Sequence, residues 1–506
     1  ARARGRVAMN RWSTLAARLR NRRTLRWLVI FVALLAVGAS WTLSSPPGSS
    51  PDDTFHVPSI WCSATADDAL CTDLGPAPDR DGYRNVEVPI AIGDDMACFR
   101  YNYFESAGCQ PEPSSERVRA QAHDDLYPDG YYWLMGPLAS SNVAQSVAEI
   151  RLVNWIICFA LLIGSIILAV PTIRRTATIA LVATSVPLSV FLFASNNPSG
   201  IVVAAIPAAW IGYSSGLRHT DRRKRNASLA LATFATVFAL FMRSDAGIYV
   251  VISLATVVMA APPTVSKVLR NRLLTVVGAL ALVGIVVATI TRYPGAGVTV
   301  GMRQVDFDRS LWGILFENLQ SVSELWTGAI GDQPLGWLDT PVPQTTRFIM
   351  TSIFVLLVVS GIVRSSRAAR RPTYIVLAAL FVIPMYLMAL DRSFVGEGFQ
   401  ARYLLPLLPI LAMCSLADDA EKGTLPSRRA LLVGVSLIGL AHTFALHANI
   451  RRYVTGIEVY GYDLDKNREW WWGWGPSANG VWVIGSIAFV VAGWALFWPR
   501  EESLTR

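Results

Sequence analysis

Two adjacent carboxylates, Asp52 and Asp53, are followed three residues later by His56 in the stretch PDDTFH. A bare carboxylate can take a proton from a hydroxyl, and an imidazole nearby can orient it, relay its proton or join it on a metal ion. Loop acids are often only solvated, but the position of this pair argues for chemistry. It follows the first strongly apolar run of the chain, which ends at Leu43, after a Pro/Gly/Ser stretch that turns the backbone aside.

Further ionisable and polar groups recur at the ends of apolar runs. Arg243 and Asp245 lie in RSDAGIY, Arg292 in TRYPG, and Arg392, Glu397, Gln400, Arg402 and Tyr403 in DRSFVGEGFQARYLLP. The runs themselves are almost free of charge. If helix packing gathers these ends, a general base would stand beside guanidinium groups, whose planar forks match phosphate oxygens. Such a site suits transfer of a sugar from a lipid phosphate to an acceptor hydroxyl, with arginines stabilising the charge on the leaving phosphate. Asp52 and Asp53 are then the catalytic candidates. His56, Arg243, Asp245, Arg392, Gln400, Arg402 and Tyr403 are the candidates for binding donor phosphate and substrate. No glycine-rich nucleotide loop occurs on the other side, which fits a donor arriving within the membrane.

The elements that must position these groups are apolar helices. Hydrophobic residues make up 53% of the 506 and charged ones 16%, the profile of a polytopic membrane protein. Runs near the roughly 20 residues needed to span a bilayer fall at Trp27–Leu43, Leu152–Val170, Ala177–Ala194, Ile201–Ser215, Ala227–Met242 and Gly247–Ala261. Others follow at Leu273–Ile290, Phe348–Val363, Tyr374–Leu390, Tyr403–Leu416, Leu431–Leu446 and Val481–Trp498. The expected fold is therefore all-α, with about twelve transmembrane helices after a basic N-terminal segment, residues 1–26, and a helical module over residues 27–499. A cleavable signal peptide is rejected, because no small-residue cleavage pattern follows the first run. Lys and Arg crowd TIRR, RHTDRRKR, SKVLRNR, RSSRAARR and KGTLPSRR, which share one side if the spans alternate. That side is expected to be cytoplasmic, so the net charge of +9 reflects topology rather than nucleic-acid binding.

Three segments on the opposite side are long: Ser44–Ile150, Thr291–Thr346 and Ala448–Gly480. The first holds Cys62, Cys71, Cys98 and Cys109, which suggest two disulfides in an oxidising compartment. Three pairings exist; Cys62–Cys71 with Cys98–Cys109 is favoured because each closes a short loop. Metal ligation lacks the CxxC spacing. Cys158 and Cys414 read as packing residues. The third segment contains REWWWGWGPSANGVW, either a membrane-interface anchor or a sugar- or lipid-stacking surface. Asp339 in GWLDTPVP could reach the cavity or shape a turn. SNNPSG reads as a tight turn without function, Asp463 and Asp465 as a weak calcium-loop fragment, and Asn226-Ala-Ser as a sequon on the wrong side for use. No internal repeat is evident, which weakens an inverted-repeat transporter.

An acidic pair in the first outer loop of a many-spanning chain resembles the GT-C glycosyltransferase superfamily. That resemblance implies a polyprenyl-phosphate sugar donor, with Asp52 or Asp53 as base. More narrowly, PPGSSPDDTFH, YPDGYYWLMGPLA (Tyr127–Ala139), SNNPSG (Ser195–Gly200), RSDAG, GDQPLGWLDTPVP (Gly331–Pro343) and QARYLLPLLP (Gln400–Pro409) resemble, in order, the bacterial membrane-protein family of domain of unknown function 2142. In that family an acidic pair, often Asp-Glu, precedes a histidine at this place; here the second member is Asp53. By analogy Arg243 and the Arg402–Tyr403 pair would line the donor phosphate site.

The expected activity is glycosyl transfer to a cell-envelope glycan or glycolipid at the outer face of the bacterial cytoplasmic membrane. Arg- and Ala-rich composition points to a high-GC bacterium, where decaprenyl-phospho-arabinofuranose is a common donor, so arabinofuranose is the sugar to consider first. No cofactor is required by the sequence, although a divalent cation is compatible with the acidic pair. The rival readings are a lipid or glycan transporter, which needs charge deeper in the spans, and a non-catalytic envelope assembly protein.

Overall fold

The computed structural model describes residues 22–63, 70–78, 80–112, 114–261 and 309–498. The expected span Leu273–Ile290, the candidate Arg292 and most of the N-terminal basic segment lie outside the described residues. Strong local signals set most helix starts. Asn142 caps the helix after it by accepting from Gln145 N (3.3 Å), Asp221 accepts from the N–H groups of Arg223 and Lys224, and Ser366, Ser427 and Ser477 do the same for the helices that follow them.

In chain order the elements begin with α1 (Arg22–Leu43), α2 (Asp53–Ser63), β1 (Thr72–Pro76), β2 (Tyr83–Pro89), β3 (Arg117–His123) and α3 (Gly130–Met135). Next come α4 (Val143–Leu168), α5 (Pro171–Ala183), α6 (Pro187–Phe193), α7 (Pro198–Gly216), α8 (Arg222–Met242) and α9 (Ala246–Met259). The rest are α10 (Leu311–Thr327), α11 (Gln344–Arg364), α12 (Arg367–Leu390), α13 (Leu408–Lys422), α14 (Arg428–Val454) and α15 (Ala478–Leu496). Among the described residues nine helices are long and apolar enough to cross a membrane, or ten if the bent pair α5–α6 counts as one. The chain is a multi-pass membrane protein.

Two expected spans differ from the straight helices read from sequence. The run Ala177–Ala194 is bent by 97° between α5 and α6. Pro187 opens α6 and cannot donate back to Ala183, so the ladder breaks there. Thr184 and Ser185 turn their hydroxyls onto the carbonyls of Ala180 and Val182, and His442 of α14 meets the freed carbonyl of Ser185. The run Gly247–Ala261 forms α9, whose 14 residues reach only about 21 Å, short of a bilayer core of about 30 Å.

The segment between α1 and α4 folds into a small unit on one face of the helices. β1, β2 and β3 form an antiparallel sheet in that order, with β2 and β3 paired from Tyr83↔His123 to Pro89↔Arg117. Val86, Val88, Ala120 and Ala122 are buried at alternate positions, the period expected of a sheet covered on one face. α2 covers it, and Ser59 Oγ accepts from His123 N (2.8 Å). The disulfides Cys62–Cys71 and Cys98–Cys109 close loops of 9 and 11 residues, with Cα atoms 5.1 and 6.1 Å apart. The first ties the end of α2 to the start of β1. Removing it as Cys62→Ala/Cys71→Ala should cost about 2–3 kcal/mol, seen as a lower melting temperature in detergent that the reductant-treated wild type reproduces.

Candidate functional site

The turn after α1 is built around Arg151, a charged residue buried inside α4. Its Nη1 donates to Ser45 O (2.7 Å), and its Nη2 donates to Pro46 O (2.8 Å) and Ser49 Oγ (3.0 Å) and faces Asp53 Oδ2 (3.5 Å). Asp53 Oδ2 also accepts from Ser50 N (3.0 Å). From the other side, Asn197 at the start of α7 donates its amide to Pro51 O (2.8 Å). Gly48 takes φ +81°, and a Cβ there would lie 2.5 Å from Met96 O, so only glycine lets this turn press against the disulfide-bearing unit.

This clamp separates the two acids. Asp52 adopts φ +62° and its carbonyl accepts from Phe55 N (3.0 Å) and His56 N (2.9 Å), so it starts α2. Its carboxylate turns away from Arg151 and accepts from Arg402 Nη2 at 2.8 Å, with 29% of the side chain exposed. Asp53 is fully buried against Arg151. Burial pushes both carboxyls up. For Asp52 this is outweighed by the Arg402 and Arg243 guanidinium groups, which hold it below its ordinary range. For Asp53 burial wins over Arg151 and raises it to about 6.

Arg402 leads the helical turn Ala401–Leu404 ahead of α13. It is buried, yet its Nε and Nη1 have no hydrogen-bond partner. Tyr403 stands between two guanidinium groups, its ring centroid 5.3 Å from that of Arg402 and 5.9 Å from that of Arg243. Arg243, at the end of α8, pairs with both oxygens of Asp245 at 2.9 Å and donates to Ser199 Oγ (3.1 Å). It also lies 5.5 Å from the ring centroid of Tyr127. Gly130 permits that approach: a Cβ there would stand 2.5 Å from the carbonyl oxygen of Phe241. His56 is buried among Phe55, Tyr127, Tyr131 and Tyr132, its Nδ1 bonded to Tyr132 Oη (3.0 Å) and its Nε2 without a partner. Burial lowers His56 to about 3, and the two arginines add to the effect, so the ring is neutral. Among the described residues no group of three or more His, Cys, Asp or Glu is placed to hold a metal ion.

The structure thus brings Asp52, His56, Arg243, Asp245, Arg402 and Tyr403 to one place. Gln400 caps the turn that carries Arg402 and Tyr403, its carbonyl accepting from Tyr403 N (3.1 Å). Arg392 does not join them. It donates to Arg309 O (2.6 Å), whose side chain pairs with Glu397 (2.7 Å), so the DRSFVGE stretch folds onto the start of α10. Asp53 and Asp245 are buried against arginines, whereas Asp52 is partly exposed.

A family model described as "Predicted membrane protein (DUF2142)" matches residues 35–411, most of the chain and every candidate residue above. The chain belongs to this family. No curated protein matches it. Among solved structures, this DUF2142 chain is similar to ArnT from Cupriavidus metallidurans in the apo state, at 15% identity and TM-score 0.42, covering 93% of this chain and 76% of that one.

Sequence reading of this DUF2142 member misses four contributors. Arg151 was excluded by starting the second span at Leu152, although a charge within an apolar run is itself a flag. SNNPSG was read as a bare turn, yet Asn197 holds the acidic turn. Tyr127 and Tyr132 stood in a family-like motif without a role. Asp339 is structural: it pairs with Arg452 (2.9 Å) and accepts from Tyr101 N (3.1 Å).

Proposed function

We propose that the chain is a membrane glycosyltransferase that moves a sugar from a polyprenyl-phosphate donor to an acceptor hydroxyl at the extracytoplasmic face of the cytoplasmic membrane. The observation that carries this reading is a partly exposed carboxylate, Asp52, 2.8 Å from a buried guanidinium, Arg402, with two unpartnered nitrogens. Buried donors without acceptors are costly, and a phosphate oxygen is an acceptor that a guanidinium N–H suits. The disulfides support an oxidising compartment for this face, and the basic loops on the other face support its orientation.

In the reaction, the acceptor O–H gives its proton to Asp52 while its oxygen bonds to the anomeric carbon. The anomeric carbon–phosphate oxygen bond breaks, and its electron pair leaves with the lipid phosphate. Arg402 and, through its remaining charge, Arg243 stabilise that anion. Neutral His56 and the tyrosines give the carboxylate a low-dielectric wall. The acceptor is an envelope glycan or glycolipid, and arabinofuranose is the first donor sugar to test.

The test uses purified protein with radiolabelled polyprenyl-phosphate sugars and envelope glycan acceptors. Release of polyprenyl phosphate with labelled product is expected; label that crosses a vesicle membrane uncleaved would replace this reading with transport. The pH profile distinguishes the acids. A base loses activity as pH falls through its pKa, so with Asp52 as base the rate should stay level from pH 8 to about 5, with no inflection at the value of about 6 belonging to Asp53.

A further inference from the structure

We infer that the cleft between α1 and the start of α4 is a second binding site, for a neutral saccharide. It has a volume of about 450 Å³ on the disulfide-bearing face. Ala39, Leu43, Ala148 and Leu152 supply apolar wall, and Trp474 of the Trp-rich segment forms one lip. The Trp474 ring is held in place: it packs 5.5 Å from the ring of Trp472, whose Nε1 donates to Leu43 O (2.9 Å).

The lining contributed by the start of α4 is polar. Asn142, Gln145 and Glu149 recur on one face of the first turns of α4. They are joined in a row, Asn142 Nδ2 to Gln145 Oε1 (3.3 Å) and Gln145 Nε2 to Glu149 Oε1 (2.8 Å). Each keeps further donor or acceptor capacity. Thr42 also lines the cleft, with 3% exposure, and its Oγ1 has no hydrogen-bond partner. A buried hydroxyl left unpaired in the wall of the cleft points to a ligand group that would meet it.

A sugar ring matches this lining. Its C–H face lies against an aromatic ring, while its hydroxyls both donate and accept around the edge, as amides, a carboxylate and a hydroxyl require. A lipid phosphate does not match, because the lining has one carboxylate and no basic side chain. An acyl chain would leave Thr42 unpaired and press hydrocarbon onto Glu149. The family match ends at residue 411, before Trp474, so one of the nine residues that line this cleft comes from outside it. None of the transferase candidates lines this cleft, so the inference does not depend on the transferase reading.

The experiment measures binding of neutral arabino-, manno-, gluco- and galacto-oligosaccharides to the full chain in detergent by calorimetry. At least one series should bind. Trp474→Ala should weaken it about tenfold and Thr42→Val several-fold, with melting temperatures unchanged, while Asp52→Asn should bind as the wild type does. Failure of every oligosaccharide to bind the wild type overturns the proposal. So does binding that survives both cleft substitutions, or that disappears with Asp52→Asn. Displacement of bound saccharide by phosphatidylglycerol vesicles also overturns it, since it would mark the cleft as a lipid-headgroup site.

Discussion

Asp52→Asn should lower the proposed glycosyl transfer by roughly a thousandfold, the scale of a general base, while the protein keeps its fold. The amide cannot take the acceptor proton, yet its carbonyl can still accept from Arg402 Nη2, which now sits 2.8 Å from the carboxylate. Asn also tolerates the left-handed backbone that Asp52 adopts at φ +62°. The loss therefore falls on kcat. KM for the donor should hold or fall, because removing the carboxylate charge leaves Arg402 more available to a phosphate. Asp53→Asn is the internal control. That side chain is fully buried against Arg151 and already holds its proton up to about pH 6, so its amide should retain most of kcat. Equal loss in both variants, or a rise in donor KM with Asp52→Asn alone, would remove Asp52 from the role of base.

The second large effect belongs to Arg151→Met. Methionine fills much of the arginine's volume but leaves Ser45 O, Pro46 O and Ser49 Oγ without their donor, and Asp53 buried without a counter-charge. Breaking one side of a buried ion pair costs about 3–5 kcal/mol, so a clear fall in melting temperature is expected. Activity should fall with it even below the melting transition, because Asp52 lies three residues beyond Ser49, in the turn that Arg151 holds. Lysine should not rescue: one ammonium cannot serve acceptors that two guanidinium nitrogens now reach from different sides. The double variant Arg151→Met/Asp53→Asn separates the contributions. It should recover part of the stability by removing the orphaned charge but none of the transfer rate. Recovery of both would make Arg151 a partner of Asp53 alone rather than the residue that shapes the turn.

How much of this was readable beforehand follows the range of the forces involved. Apolar runs of bilayer length, basic connections on alternate turns and an acidic pair directly after Leu43 are local properties, so composition and spacing carry them. The cysteine pairs are similar, since loops of 9 and 11 residues close more readily than any crossed arrangement. Arg392 shows where the reading fails: it stands at an end of an apolar run like the other candidates, but packing turned it toward Arg309.

The sequence alone determined a polytopic helical chain with ionisable groups gathered at the ends of its helices. Only the tertiary structure decided which of them meet. Asp52 and Arg402 are 350 positions apart, Asn197 reaches Pro51 across 146, and Arg151 reaches Pro46 across 105. Hydropathy fixes how deep a helix end sits, but rotation about the helix axis and the choice of neighbour come from side-chain packing between distant segments. It is that packing which left Asp52 partly exposed beside the guanidinium of Arg402 and buried Asp53 against that of Arg151.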